Sequence, residues 1–297
     1  MIAKKIFARI AARSPILSGL IALLAVSGLM LFASGSFSSS GQMRVTFFDI
    51  GQGDAIHLRL PPNQDIIVDG GRSNRVVEKL GSAMPLFDRY IDIVVATHPD
   101  ADHITGLAEV MRTYRVGMLL ILAVDRDTSE YDELIAVARQ YSIPIKTAQA
   151  GQIYQFVSGA RFEILSSGGA QDAEDGTPLN DSSIVAMMKY QDIAILLTGD
   201  AGVAVEHEIV AHYPLLKAQI LKVGHHGSRT STSKAFLDAI KPEVAIISVG
   251  ADNSYGHPHK EVMKNLKEND VAIYRTDMQG DITVTSDGAH YEITTQY

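Results

Sequence analysis

The sequence predicts an α/β sandwich, in which two mixed sheets pack together and helices cover their outer faces. Short apolar runs separated by glycine- and proline-containing turns begin the globular part of the chain. Strands and amphipathic helices then alternate, which is typical of sheets that carry helices on their faces. This succession of hairpins and then alternation occurs twice, so each half of the chain is expected to supply one sheet.

The first half begins with three short predicted strands, "RVTFFDI", "AIHLRL" and "DIIVDGG". A fourth strand, "RYIDIVVATH", is nearly all apolar and should therefore be covered on both faces. A helix is expected to start at His103, with Asp102 near its N-cap. "VGMLLIL" is the next strand, and "SEYDELIAVARQY" has the spacing of an amphipathic helix. His57 lies on the alternating second strand and is expected to face solvent.

The second half begins with a predicted hairpin, "QIYQFVSG" and "ARFEILSS", followed by a long polar loop, "GGAQDAEDGTPLNDSS". "SIVAMMKY" and "DIAILLTGD" are expected to pair around a turn at Gln191. The helices "AVEHEIVAHY", "SKAFLDAI" and "HKEVMKNLKEND" then alternate with the strands "QILKVG", "EVAIISVG" and "VAIYRT". The tail, "GDITVTSDGAHYEITTQY", is predicted to close as a hairpin.

Residues 1–42 are predicted to be a membrane-targeting segment and linker, and residues 43–297 a single domain. Four basic residues precede an apolar stretch at 15–33 that has no charged residue. The positive-inside rule then places the remainder of the chain outside the cytoplasmic membrane. About 19 apolar residues suit either a signal peptide or a transmembrane helix, so the domain is expected to be secreted or anchored by one N-terminal helix.

Composition limits the chemistry of any site. The chain has no cysteine, which excludes disulfides, thiolate ligands and a lipid anchor on cysteine. After residue 42 the chain keeps all 34 acidic residues and 22 of the 26 basic ones, a formal charge of −12. Such a surface disfavours long polyanions, although two bound divalent cations would offset the charge locally.

Metal-capable side chains follow four of the predicted strands. His98, Asp100, Asp102 and His103 lie within six positions after "YIDIVVA". Asp200 ends "DIAILLTGD", and a carboxylate with two oxygens suits a bridge between two ions. "GHHGS" and "YGHPH" supply further histidines after two later strands. A polar turn needs only one or two such residues, so the sequence predicts a metal site.

These motifs resemble those of a known family. In order along the chain, "FFDIGQGDA", "VDGG", "THPDADHITG", "LLTGD", "LKVGHHGSRTS" and "SVGADNSYGHP" look like the metallo-β-lactamase superfamily. Within it, they are similar to the extracellular hydrolase domain of ComEC-type DNA-uptake proteins. The resemblance implies a four-layer αββα fold with a dinuclear metal centre between the sheets.

The resemblance also implies a set of metal ligands. They are His98, Asp100, Asp102, His103, Asp200, His225 and His257. Asp100 departs from the general pattern, in which a second histidine stands, and Asp200 matches the bridging aspartate. The last ligand is left open between His225 and His257. Two divalent ions are expected, manganese or zinc; manganese is included because an oxygen-rich ligand set favours harder ions than zinc.

Catalytic roles are expected for two residues. Asp102 would orient the attacking water, and His226 would protonate the leaving oxygen. Residues that contact the substrate or support the ligands are expected to be Asp54, Asp69, Asn180, Ser182, Lys222 and Ser228. Asn180 or Ser182 stands where the general pattern has another histidine, and Lys222 and Ser228 are candidates for contact with a phosphate.

The function predicted is that of an exported metal-dependent phosphodiesterase or nuclease acting on DNA. One alternative is a hydrolase of a small or cell-wall phosphodiester, which the negative charge favours. Another is a non-catalytic DNA-binding or assembly subunit. A β-lactamase is disfavoured, because those sites normally keep the histidines that this chain lacks. The expected partners are DNA or another phosphodiester and, through the N-terminal segment, the membrane; the sequence indicates no protein partner.

Overall fold

The computed structural model describes residues 41–123, 127–168 and 183–297, and Gly41–Tyr297 cluster as one compact unit. The predicted membrane-targeting segment therefore lies, except for its last two residues, outside the described residues. Within the described ranges, no helix combines the length and apolar character needed to cross a bilayer.

Two sheets form the centre of the described fold. The strands of the first are β1 (Met43–Phe47), β2 (Ile56–Leu60), β3 (Gln64–Val68), β4 (Tyr90–Val95), β5 (Arg115–Ile121), β6 (Ile145–Thr147), β14 (Ile282–Ser286) and β15 (Tyr291–Thr295). Their order is β15-β14-β1-β2-β3-β4-β5-β6. The strands from β3 to β6 pair in parallel and the others antiparallel.

The second sheet comes from the second half of the chain. Its strands are β7 (Ile153–Gln155), β8 (Arg161–Ser167), β9 (Ile184–Tyr190), β10 (Ile193–Leu197), β11 (Ile220–Lys222), β12 (Val244–Ile247) and β13 (Ala272–Arg275). Their order is β13-β12-β11-β10-β9-β8-β7, with parallel pairing from β10 to β13. The predicted hairpins β7–β8, β9–β10 and β14–β15 are all confirmed.

Helices cover both sheets. They are α1 (Arg75–Ala83), α2 (Ala101–Thr113), α3 (Ser129–Gln140), α4 (Val203–His212), α5 (Lys234–Ile240), α6 (Lys260–Glu268) and the single turn α7 (Thr276–Gln279). Apolar residues of α1 to α3 pack on the outer face of the first sheet, and those of α4 to α6 on the second. A third cluster fills the space between the sheets. The predicted sandwich is thus confirmed, and its layers are helix, sheet, sheet, helix.

Three details correct the expectations from sequence. α2 begins at Ala101, not at His103, so Asp100 is its N-cap and Asp102 lies in its first turn. The elements α1, β6 and α7 were not predicted; β6 has only three residues, all exposed, so no apolar pattern marks it. β14 and β15 join the first sheet through pairing of β14 with β1, although they come last in the chain.

His57 is the clearest error, because its side chain is 2 % exposed rather than turned to solvent. Its Nε2 lies 2.7 Å from Asp65 Oδ1, and the guanidinium of Arg59 donates to both oxygens of the same carboxylate. Arg59 also donates to Asp88 Oδ2 at 2.9 Å. Alternation correctly placed His57 opposite the inter-sheet core, but that outer face is covered, and the paired charges make its burial tolerable.

Candidate metal centre

The candidate site lies where the strand ends of both sheets meet. β3 and β4 of the first sheet run parallel and lead directly into Asp69 and into the loop that carries His98. β10 of the second sheet leads into Asp200, and β11 into a 3₁₀ turn at Gly224–Gly227. Parallel strands end at the same edge of a sheet, so these residues are brought together from positions far apart in the chain.

Three buried histidines are held through Nδ1, which leaves Nε2 directed into the site. His103 Nδ1 donates to Asp69 Oδ2 at 2.8 Å, and His226 Nδ1 donates to the carbonyl oxygen of Ser248 at 2.9 Å. His98 Nδ1 lies 3.0 Å from Thr97 Oγ1, whose own proton goes to Asp69. These contacts fix each ring in the orientation that a metal ligand requires.

Asp200 lies at the centre of the histidines. Its Oδ2 is 3.4 Å from His103 Nε2, 3.6 Å from His226 Nε2, and 3.8 Å from the Nε2 atoms of both His98 and His225. The Nε2 atoms of His103 and His226 are 3.2 Å apart. His98 Nε2 and Asp200 Oδ1 are buried without a hydrogen-bond partner. Four imidazole nitrogens around one carboxylate, with polar atoms left unpaired, suit a positive ion.

The electrostatics of the site prepare it for a cation. Burial lowers the pKa of His98 well below its usual value, so His98 is neutral, the form in which imidazole binds metal. Burial alone would raise the pKa of Asp200, but the imidazoles of His226 and His103 hold it well below its usual value. Burial alone would lower the pKa of His103, yet Asp200 and Asp69 raise it well above the usual value. When no metal is bound, a proton on His103 therefore supplies part of the positive charge beside Asp200.

Lys222 supplies the permanent positive charge behind the site. Its side chain is 0 % exposed, its ammonium forms an ion pair with Asp54, and it donates to the carbonyl oxygen of Gly199 at 2.9 Å. Its Nζ lies 3.8 Å from Asp200 Oδ1. The side chain is thus enclosed among protein groups, and the expected contact between Lys222 and a phosphate does not fit this position. Asp54 and Lys222 instead form a buried ion pair beside the candidate ligand Asp200.

Two loops approach the site with tightly constrained backbones. His225 and His226 both have positive φ, 47° and 53°, a conformation that is strained for residues other than glycine. In the "GQGD" loop, a Cβ on Gly53 would lie 2.0 Å from the carbonyl oxygen of Asp102, at a φ of +121°. Glycine is therefore required at that contact, which presses the loop against the first turn of α2.

The remaining predicted ligands lie around this centre. Asp102 Oδ2 is 3.9 Å from His226 Nε2, and Asp100 Oδ2 is 3.8 Å from His98 Nε2. The ring of His257 lies 5.6 Å from that of His225. Burial and the neighbouring imidazoles, His225 first among them, lower the pKa of His257 to about 4. His257 is thus one ring further from Asp200 than His225 is.

Among the described residues, possible ligand atoms form four sets of three residues, with all atoms of a set within 4.8 Å of one another. The sets draw on Asp54, Asp69, Asp102, His98, His103, Asp200 and His226. Asp100, His225 and His257 are near the site but are in none of these sets. His226 was expected to be a proton donor. Its Nε2, however, lies at a distance from Asp200 Oδ2 similar to those of the candidate ligands His103 and His98. Ser228 is buried, and its backbone N–H donates to the carbonyl oxygen of His225 at 2.8 Å.

Three small polar residues at the candidate site were not predicted from the sequence. Thr97 and Ser248 orient His98 and His226, and the backbone N–H of Asp200 donates to Ser183 Oγ at 2.9 Å. Each is a buried polar residue beside the end of an apolar strand, which is the signal that could have found them. The predicted residues Asn180 and Ser182 lie outside the described residues.

Three bacterial relatives are each similar to at least 80% of the chain. ComE operon protein 3 of Bacillus subtilis (strain 168) is 30% identical over 270 residues, which is 85% of this chain and 34% of that protein. Competence protein ComA of Neisseria gonorrhoeae is 30% identical over 241 residues, 80% of this chain and 31% of that protein. Recombination protein 2 of Haemophilus influenzae is 31% identical over 252 residues, which is 81% of this chain and 28% of that protein. The chain thus spans about a third of the length of these relatives.

Solved structures share the fold at low identity. CmlA, a diiron β-hydroxylase from Streptomyces venezuelae, has a TM-score of 0.53 at 14% identity, covering 81% of this chain and 53% of that chain. YhfI from Bacillus subtilis, a metallo-β-lactamase fold protein, has a TM-score of 0.50 at 13% identity, covering 78% of this chain and 95% of that chain. At such identities the likeness concerns the fold alone.

The sequence profile of the metallo-β-lactamase superfamily matches residues 49–251, about two thirds of the chain. The match includes the loop of His98, Asp200 and the histidine pair after β11, and it agrees with the helix–sheet–sheet–helix layers. The chain therefore belongs to the metallo-β-lactamase superfamily.

Proposed function

We propose that this chain is an exported metal-dependent hydrolase that cleaves phosphodiester bonds, with DNA as its first candidate substrate. The observation that carries the proposal is Asp200 Oδ2, which has the Nε2 atoms of four histidines within 3.8 Å. The metallo-β-lactamase fold is in general that of metal-dependent hydrolases, so the family and the geometry point to the same chemistry.

The residues present fit a pair of divalent ions, manganese or zinc. The proposed ligands at the centre are His98, His103, His226 and Asp200, and the proposed ligands at the rim are Asp100, Asp102, His225 and His257. The unpaired Nε2 of His98 and the unpaired Oδ1 of Asp200 are both buried, where a polar atom without a partner is costly. When bound, two such ions activate water and neutralise charge on phosphoryl oxygens.

Three residues, two of them among these ligands, have further roles in the proposal. Asp69 accepts from the backbone N–H and hydroxyl of Thr97 and from His103, which fixes the ring of His103. Asp102, in the first turn of α2, is the carboxylate proposed to orient the attacking water. His226 is proposed as a ligand rather than as the proton donor, because both its ring nitrogens are committed to Ser248 and to the centre.

DNA is proposed as substrate on two grounds. One relative is by name a competence protein and another a recombination protein, and competence relatives suggest a part in DNA uptake. At the rim, the ring of Tyr255 is 56 % exposed and stacks on His257 at 5.6 Å between centroids. An exposed aromatic ring beside a metal centre offers a surface on which a nucleobase can stack.

A small phosphodiester is the second candidate, favoured by the formal charge of −12 after residue 42. Residues 41–297 loaded with Mn²⁺ or Zn²⁺ should be incubated with end-labelled single-stranded DNA, duplex DNA and bis(p-nitrophenyl) phosphate. Cleavage of DNA supports the first candidate, and turnover of the small diester alone supports the second.

Two variants make this test specific. Asp200→Asn should reduce cleavage to the level of buffer, because it removes the proposed bridging carboxylate. His212→Asn is the matched control, since His212 is an exposed histidine on α4 that donates to the carbonyl oxygen of Glu208. Equal cleavage by wild type and Asp200→Asn would defeat the proposal. Absence of metal by elemental analysis would instead favour a non-catalytic DNA-binding or assembly subunit.

Export has its own test. Alkaline phosphatase, which is active only outside the cytoplasm, can be fused after residue 42 of this chain. An active fusion supports export, and an inactive but abundant fusion contradicts it.

A further inference from the structure

The sandwich has two distinct ends. The candidate metal centre lies at the end where β3, β4 and β10 finish. The opposite end holds the segment between α1 and β4 (residues 84–89, the α1–β4 loop) and the turn between β7 and β8. A six-residue strand such as β4 separates the two ends by about 20 Å.

Contacts show that the parts of this opposite end lie side by side. Arg59, near the end of β2, donates to Asp88 Oδ2 of the α1–β4 loop at 2.9 Å. Gln64, at the start of β3, accepts from the backbone N–H of Val157 at 2.8 Å. The described chain also begins here, because the hydroxyl of Tyr190 donates to the carbonyl oxygen of Gly41 at 2.6 Å.

Large apolar side chains project from this end into solvent. Phe87 is 93 % exposed, Leu86 74 % and Val157 80 %. Leu86 and Phe87 are consecutive at the tip of the α1–β4 loop, which the ion pair between Asp88 and Arg59 fixes to the sheet. These three side chains bury little apolar surface within the domain. An adjacent exposed leucine and phenylalanine on an anchored loop suit an apolar partner.

Exposed basic side chains flank these apolar ones, together with the exposed Asp192 of the β9–β10 turn and the partly exposed Asp88, which is paired with Arg59. Arg89 follows the loop tip, and its carbonyl oxygen accepts from the backbone N–H of Arg115 at 2.9 Å. Arg161 lies near Val157 and is paired across the strands with Lys189. These basic side chains stand out against the formal charge of −12 that the chain carries after residue 42. Basic side chains around exposed apolar ones complement an anionic lipid surface.

The length of chain before this end limits its distance from a membrane. The sequence predicts a membrane-targeting apolar stretch at residues 15–33, and the described chain starts at Gly41. Eight residue steps separate the two, and fully extended they reach at most about 29 Å. If the stretch is anchored, the start of the described chain at Gly41 is thus tethered within about 29 Å of it.

We propose that this end of the domain docks on a lipid surface, with Leu86, Phe87 and Val157 inserted at the boundary of headgroups and acyl chains. The flanking arginines and Lys189 contact anionic headgroups. In this orientation the candidate metal centre opens away from the membrane, toward a substrate that arrives from outside. The proposal does not depend on the chemistry of the metal centre.

The chain contains no tryptophan, which permits a direct test. Phe87→Trp places a single fluorophore at the proposed insertion point, and Met278→Trp places one on α7 at the end that holds the candidate metal centre, where Met278 is 66 % exposed. Each full-length variant is reconstituted into vesicles of anionic lipid with or without brominated phosphatidylcholine. Bromine quenches tryptophan only within the bilayer, so we expect at least a twofold loss of fluorescence for Phe87→Trp and no change for Met278→Trp.

Several results would overturn the proposal. Absence of quenching of Phe87→Trp means that this end is not in lipid, and failure of the full chain to associate with vesicles means the same. Equal quenching of both variants means that the domain has no preferred orientation on the bilayer, which also contradicts the proposal. A blue shift of Phe87→Trp that appears without lipid and grows with protein concentration means that a second copy covers the surface instead. Leu86→Trp, at the neighbouring exposed position, repeats the test if Phe87→Trp does not fold.

Discussion

Replacement of Lys222 by methionine tests the electrostatic account of the site most directly. The side chain is fully buried, and its ammonium contacts Asp54, donates to Gly199 and lies 3.8 Å from Asp200 Oδ1. Two opposite charges about 4 Å apart interact by about 4 kcal/mol at an effective dielectric constant of 20. Loss of one partner of a buried pair costs about 3–5 kcal/mol. We expect Lys222→Met to lower the free energy of unfolding by that amount.

Urea unfolding of metal-free residues 41–297, followed by circular dichroism, measures this loss. Lys264→Met is the matched control, because Lys264 is an exposed lysine 3.7 Å from Glu268 and should lose at most about 0.5 kcal/mol. Adding Asp54→Asn to Lys222→Met should recover about 2–3 kcal/mol, since the pair is then removed together. A loss below about 1 kcal/mol for Lys222→Met, or simple addition of the two costs, would refute the reasoning.

Three further predictions concern packing and metal binding. Gly106→Ala should cost about 2–3 kcal/mol of unfolding free energy, because its Cβ would lie 2.0 Å from the carbonyl oxygen of Gly70; Gly81→Ala, with nothing within 4 Å, should be neutral or gain up to about 1 kcal/mol. Asp69→Asn should weaken metal binding about 10- to 100-fold without unfolding the chain, because His103 loses the carboxylate that orients it, and competition with a chromophoric chelator measures this. Removal of metal with EDTA should lower the melting temperature, and Mn²⁺ at 100 times its dissociation constant should restore about 2.7 kcal/mol; an unchanged melting temperature would argue against a metal centre.

The strands and the position of the site could be predicted because both depend on local patterns. "YIDIVVA" is largely apolar on both faces, so hydrophobic burial predicts a strand there. Acidic residues and histidines follow directly, and they predict a candidate site at the end of that strand. The same holds for "DIAILL" and Asp200. The division of these strands between two packed sheets followed from the repeated alternation and from the resemblance.

Other features depend on contacts between distant residues and could not be predicted. The position of the His226 ring in the candidate centre depends on a bond to the carbonyl oxygen of Ser248 and on a positive φ, neither of which a sequence pattern expresses. His57 looked exposed because its partner Asp65 is eight residues away and its cover comes from other elements. Lys222 looked like a phosphate contact because only the fold shows that its ammonium is paired with Asp54.

The pairing of β14 with β1 bears on how this protein reaches its folded state. β1 has no neighbour on one side until residues 282–286, near the end of the chain, become available to it. While the chain is still being synthesised or translocated, that edge stays open, and an open apolar edge invites pairing with another molecule. Folding of this domain therefore requires the β14–β15 hairpin to complete the sheet. Deletions within that hairpin should produce aggregates rather than a smaller working domain.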